Sequence, residues 1–258
     1  MIEILVPSAV AFFVSILTFF SGFGLGTILT PVFIIFFPVD LAIALTGIVH
    51  FFNNIFKLIL VGRKADKQVV LQFGIPAIIA AFTGAYLLLQ VTDAAPLFSY
   101  TAWHKTFEVY PVKLTIAILL ILFGAMELIP YFNRLQFGKD KLYLGGLLSG
   151  FFGGLSGNQG ALRSAFLVKA GLSKEVFVAT TAVVSTLVDF TRLSVYATRF
   201  SSTGLKENSF LILCATLSAI TGAYLGNKLL KKVTLKFVQT LVAVMLILFS
   251  LALGTGLI

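Results

Sequence analysis

The pentapeptide Thr-Gly-Ala-Tyr-Leu occurs twice, at 83–87 and again at 221–225, each time inside a long apolar segment. Ile121-Leu122-Phe123 recurs downstream of it as Ile247-Leu248-Phe249. Upstream, the run Ser21-Gly22-Phe23-Gly24-Leu25-Gly26 has a counterpart in the Gly-rich stretch from Ser149 to Gly157. Order and approximate spacing are kept. The chain therefore divides into two homologous halves, 1–132 and 140–258, joined by a loop at 133–139. In so apolar a chain, internal duplication is the architecture of secondary transporters.

Composition sets the solvent. Hydrophobic residues make up 59% of the chain and charged residues 11%, against about 25% charged in a soluble domain. Such a chain cannot cover itself with a water-facing surface, so it belongs in the lipid bilayer. The formal net charge of +9 would suggest nucleic acid in a soluble protein. Here the Lys and Arg residues sit between apolar segments, where they set membrane orientation and face anionic lipid. Nucleic acid is excluded as a partner on that ground. The one cysteine, Cys214, excludes an intramolecular disulfide. Met1-Ile2-Glu3-Ile4 lacks a basic leader and reads as the start of a first membrane helix.

Each half gives five apolar segments: 4–21, 24–37, 40–61, 69–91 and 112–130, then 142–155, 158–170, 173–197, 208–230 and 234–257. A helix needs ~20 residues to span a bilayer, so the third, fourth and fifth segment of each half are expected to cross. The first two are short and a Gly-rich break separates them, as in broken or re-entrant helices. If the short pair is a hairpin, each half has an odd number of crossings and the halves are inverted. If it is one broken helix, they are parallel. Inversion puts three basic clusters on one side: Arg63, Lys64 and Lys67; Arg134, Lys139 and Lys141; and Lys228, Lys231, Lys232 and Lys236. The positive-inside rule thus favours inverted repeats with cytoplasmic basic loops and external termini. The fold expected is an all-α polytopic membrane protein of two inverted repeats, with the loop 92–111 external.

Polar groups inside hydrocarbon are costly and each needs a reason. The third segment of the first half carries Asn53, Asn54 and Lys57; that of the second carries Ser185, Thr186, Asp189 and Arg192. Aligning the halves places Asn54 opposite Asp189 and Lys57 opposite Arg192. Each half thus presents a polar group and, three residues on, a cation. Two readings of Lys57 stand: part of an anion site, or a side chain that snorkels to the interface. The Gly-rich breaks are the second feature. Gly24 and Gly26 lie in one, and Gly157, Asn158 and Gln159, with Arg163 after them, in the other. A broken helix frees backbone N–H groups, and helix N-termini favour anions. Two symmetry-related breaks are expected to meet near the bilayer midplane. The candidate substrate-binding residues are therefore Gly24, Gly26, Asn54, Lys57, Gly157, Asn158, Gln159, Arg163 and Arg192. Asp189 either balances Arg192 or carries a coupling ion. The bland reading of the glycines is tight helix packing.

The run from Gly22 to Pro31 resembles the Gly-rich signature of the TauE/SafE sulfite-exporter family. The stretch from Gly150 to Gly160 is similar to that family's second signature, and Ala179-Thr180-Thr181-Ala182 to its third-segment pattern. The chain departs from the family at Leu25, Thr27 and Ala165. The resemblance spans nearly the whole chain. It implies a permease for small anions such as sulfite, sulfoacetate and related sulfonates, in a bacterial or archaeal cell membrane.

The expected function is a secondary transporter for a sulfur oxyanion or organosulfonate, coupled to a proton or sodium ion. No nucleotide motif is present, and no cofactor is expected. A passive anion channel, or a membrane subunit of a larger complex, is a second reading. A third, an intramembrane serine protease, rests on Gly154-Leu155-Ser156-Gly157. It needs a later His partner, whereas His50 and His104 both precede Ser156. Substrate, direction and oligomeric state are not fixed by the sequence.

Overall fold

The computed structural model describes residues 1–19, 24–92, 94–129, 137–167, 170–199, 204–229 and 235–257. Gly22, Asp93, Arg134, Lys231 and Lys232, on which parts of the expectation rest, lie outside them, as does the side chain of Lys236.

The described helices of the first half are α1 (Ile2–Thr18), α2 (Leu25–Ile34), α3 (Val39–Val61), α4 (Lys67–Thr92) and α5 (Pro111–Leu128). Those of the second are α6 (Leu142–Ser156), α7 (Gly160–Leu167), α8 (Lys174–Tyr196), α9 (Ser209–Leu229) and α10 (Leu235–Gly254). Local signals set several boundaries. Asp66 caps α4 by accepting from the Val69 N–H at 3.0 Å. Pro111 opens α5, where its missing N–H costs nothing. Within α4 the turn Val70–Gly74 widens to a π-helix just before Pro76, which cannot donate to the preceding turn.

Among the described residues four helices are long and apolar enough to cross a membrane: α3, α4, α8 and α9. In the fifth segments the described apolar stretches, Pro111–Met126 and Ala243–Gly254, fall short of that length. The helix α2 is shorter than its segment suggested: over 10 residues it extends only about 15 Å. The described part of α7 has 8 residues, about 12 Å.

One expectation is corrected: the protein is mostly helical, not all-α. The loop between α4 and α5 contains a hairpin, β1 (Phe98–Ala102) and β2 (Lys105–Val109), paired antiparallel. Its turn places Trp103 at φ +47° and His104 at φ +60°. Those values normally call for Asn or Gly, so nothing in the turn residues signalled it. Tyr100 stacks on Phe107 at 5.3 Å, and its hydroxyl donates to the Thr255 carbonyl at 2.6 Å. The hairpin is thereby tied to the end of α10.

Glycine sets how closely the helices pack. A Cβ on Gly146, Gly150 or Gly154 of α6 would fall 2.1–2.2 Å from the carbonyl oxygens of Phe73, Ala77 and Ala81 on α4. On the other side, Gly222 and Gly226 of α9 meet the carbonyls of Phe12 and Ile16 on α1. Small residues let backbones touch, which is how helices associate where lipid offers no hydrophobic drive. These contacts also give direction. In α4 with α6, and in α1 with α9, residue numbers rise together, so each pair is parallel. The third segments, α3 and α8, run antiparallel: Phe51 meets Phe190, and Lys64 pairs with Glu175. The fifth segments, α5 and α10, are antiparallel too, with Gly124 against Ala243 and Gly254 against Ala117. One face of the bundle consequently collects Arg63, Lys64, Lys67, Lys139, Lys141, Lys174 and Lys228.

Candidate functional site

The two Gly-rich breaks come together. Gly24 precedes α2 with φ +116°, and Gly157 ends α6 in the left-handed region with φ +74°. Side chains rarely adopt either conformation. Each break reverses the chain into a short helix, and the two meet. A Cβ on Gly26 would lie 3.3 Å from the Gly157 carbonyl oxygen and 3.6 Å from Cδ2 of His50. Thr27 Oγ1 donates to Asn158 Oδ1 at 2.6 Å, closing the contact between halves. Around it lies a cavity of about 10 Å³ lined by Gly24, Gly26, Thr27, His50, Gly157, Gln159, Gly160 and Arg163. Both α2 and α7 begin at this cavity, so their first N–H groups and helix dipoles are directed there.

Behind the cavity, Asp189 is the hub of a buried network. Its Oδ2 receives His50 Nδ1 at 2.6 Å and Asn54 Nδ2 at 3.2 Å. Its Oδ1 accepts from Arg192 Nε at 3.0 Å, with Nη2 at 2.9 Å. Both guanidinium nitrogens meet the same carboxylate oxygen, so the pair is a buried ion pair with one hydrogen bond rather than a two-oxygen fork. Tyr196 follows one turn later on α8 and donates to the Gly154 carbonyl at 2.5 Å, anchoring the helix against the α6 break.

Three cations and one carboxylate are buried among the described residues. Among the described residues Asp189 is the only acidic side chain that is buried. Lys57, Arg163 and Arg192 are 6%, 1% and 0% exposed. Buried charge is costly, and Arg163 lines the cavity while Arg192 Nη1 reaches its Gly157 edge, so the positive groups converge where an anion would sit. Donors are also left over. Asn53 Nδ2, Asn158 Nδ2, Gln159 Nε2 and Arg192 Nη1 have no hydrogen-bond partner among the described residues. Buried donors without partners are rare unless a ligand takes them.

The expected residues fall into two groups. Gly24, Gly26, Gly157, Gln159 and Arg163 line the cavity, and Asn158 holds it closed through Thr27. Arg192 reaches the same place from behind: a Cβ on Gly157 would be 2.8 Å from its Nη1. Asn54 instead serves Asp189. Lys57 does not snorkel to the interface. It is buried, with Nζ over the Phe19 ring at 5.6 Å. Two site residues escaped the sequence reading, Thr27 and His50. His50 lies one helical turn before Asn54 on the same face of α3, which was the available signal. For the protease reading, Ser156 gives its hydroxyl to the Phe152 carbonyl at 2.9 Å, while His50 is engaged by Asp189.

A polytopic apolar bundle with two helix breaks meeting at buried cations is the frame of a membrane transporter. The family model of the sulfite exporter TauE/SafE matches residues 8–253. The chain belongs to that family, whose members are integral multi-pass membrane transporters of small anions rather than enzymes. No curated protein and no solved structure matches the chain.

Proposed function

We propose that the protein is a secondary transporter that moves a sulfur oxyanion or organosulfonate across a bacterial or archaeal cell membrane by alternating access. The observation that carries this reading is the cavity where two helices begin, lined by Arg163 and reached by Arg192 Nη1 at its Gly157 edge. An oxyanion wants N–H donors in a fork or a nest, and Arg supplies the fork. The substrate-binding set is Gly24, Gly26, Gly157, Asn158, Gln159, Arg163 and Arg192, with Asp189 as the ion-pair or coupling residue, Asn54 supporting that carboxylate and Lys57 adding positive charge from its place over Phe19.

The cavity of about 10 Å³ has room for about one water, less than any sulfur oxyanion needs. The conformation is therefore closed around the site, which supports a carrier over an open anion channel. The helix directions support inverted repeats, 1–132 and 140–258. Exchanging the halves maps α1 with α9 onto α6 with α4, and each counterpart runs opposite to its partner. The basic face is then cytoplasmic by the positive-inside rule.

Thermal shifts of the purified protein over sulfite, thiosulfate, sulfoacetate, taurine and sulfate test the substrate class. A true ligand at a hundredfold excess over its Kd stabilises by about 2.7 kcal/mol. Uptake into proteoliposomes that collapses with an uncoupler separates a coupled carrier from a channel. Downhill flux that ignores the uncoupler and does not saturate would overturn the carrier reading.

A further inference from the structure

We propose that His50 is the proton switch of the anion site: its protonation makes the cavity competent to bind the anion, so that anion and proton enter together. This rests on the anion-transporter reading above and adds the coupling residue and its ion.

His50 is the middle residue of α3, eleven positions from Val39 and eleven from Val61. The two sides of its ring have different surroundings. Nδ1 is 2.6 Å from Asp189 Oδ2. That carboxylate already accepts from Arg192 and Asn54, so Nδ1 is the donor. The Cδ2 edge faces Gly26 at the cavity, and His50 is one of the cavity-lining residues. Nε2 has Asn54 Nδ2 at 3.5 Å, beyond the usual range of an N–H hydrogen bond of about 2.7–3.2 Å. Nε2 is bonded to Cδ2, the ring carbon at the cavity edge, and carries the lone pair of the neutral ring.

The consequence follows from imidazole chemistry. With Nδ1–H committed to Asp189, neutral His50 turns a lone pair toward the cavity, which repels an anion. Protonation from solvent converts that lone pair into an N–H donor and adds a positive charge beside the anion, in an enclosure where charges act strongly. The charged groups facing the ring are Asp189 and Arg192 from α8, Arg163 from α7, and Lys57 from its own helix. From α2 the ring meets Gly26 and Thr27, which do not titrate. His50 is the one member of this set whose ordinary titration falls in the physiological range.

The test uses the full-length protein and three probes whose own charge is constant over the range: thiosulfate, sulfoacetate and sulfate. Affinity is measured from about pH 5.5 to 8.5, the interval across which an imidazole titrates. In the wild type, Kd is expected to rise about tenfold per pH unit on the alkaline side. In His50→Asn, whose amide nitrogen takes the place of Nδ1 and can still donate to Asp189, it is expected to be flat. The independent measurement, for the case where the variant does not fold, is proton uptake by the wild type in weak buffer, expected to approach one proton per anion bound at alkaline pH. If a probe binds with pH-independent Kd, or without proton uptake, the anion site stands and the switch falls. If His50→Asn keeps the wild-type slope, the proton belongs to another group and the switch falls. If none of the three probes binds the wild type at any pH, the anion reading fails and the switch with it.

Discussion

Gly26 and Gly157, 131 residues apart, face each other so closely that a methyl group on Gly26 would come within 3.3 Å of the Gly157 carbonyl oxygen. The two halves of the chain meet at this point, and the cavity, the short helices and the buried cations are arranged around it. Substitutions across the breaks should therefore be graded. Gly157→Leu combines a left-handed backbone with a clash on Arg192 Nη1, and Gly24→Leu puts a side chain at φ +116°. Both should abolish transport at equal expression. Gly26→Ala needs only a small shift and should keep part of it. Equal activity in the three variants would reduce these glycines to generic packing.

Gly150 tests the helix interface separately from the site. Its Cβ would be 2.1 Å from the Ala77 carbonyl oxygen, and that neighbour is backbone that cannot turn away. Overpacking of this kind costs about 1–3 kcal/mol. Gly150→Ala should lower the melting temperature clearly. Gly171→Asn serves as control, since Gly171 has nothing within 4 Å and Asn tolerates its φ of +75°. Indistinguishable melting curves for the two variants would contradict this packing.

Arg163 lines the cavity, and its backbone N–H donates to the Gln159 carbonyl at 3.1 Å, so its placement is fixed by the first turn of α7. Arg163→Lys keeps the charge and loses the fork. A charge-assisted hydrogen bond is worth about 1.5–3 kcal/mol, so affinity should fall roughly ten- to a hundredfold. Anion titration of both proteins reads this out directly, and an unchanged Kd would move the anion site elsewhere.

Asp189→Asn strips the carboxylate from a fully buried Arg192. Leaving a buried charge without its partner costs about 3–5 kcal/mol. We expect a large drop in thermal stability together with altered coupling. Lys64→Ala breaks the pair with Glu175, where both side chains are more than half exposed. Solvent screens such pairs, and no measurable stability change is expected. A reversed order in the two melting temperatures would refute the network as described.

Orientation can be read by single-cysteine labelling in a Cys214→Ala background. Lys64→Cys and Lys228→Cys should label from the cytoplasm, and Trp103→Cys, at the exposed hairpin tip, from outside. Lys64 and Lys228 labelling from opposite sides would exclude inverted repeats.

The sequence by itself determined the membrane setting, the apolar segments and both breaks. These are properties of composition and local pattern: apolar runs and glycines at close spacing. It also singled out Asn54, Lys57, Asp189 and Arg192, because a polar side chain in an apolar run is conspicuous wherever it points. The tertiary structure decided which of them meet. That His50 belongs to Asp189, 139 residues away, depends on α3 and α8 lying antiparallel, and no local pattern encodes a crossing between helices of different halves. Lys57 was ambiguous for the same reason, since burial over Phe19 is a contact with another helix. The hairpin was hidden differently: Trp103 and His104 occupy a turn conformation against their own preference, and the contact of Tyr100 with Thr255 joins it to the far end of the chain. Residue type and period specify elements, whereas packing between elements distant in sequence brings their side chains together into a site.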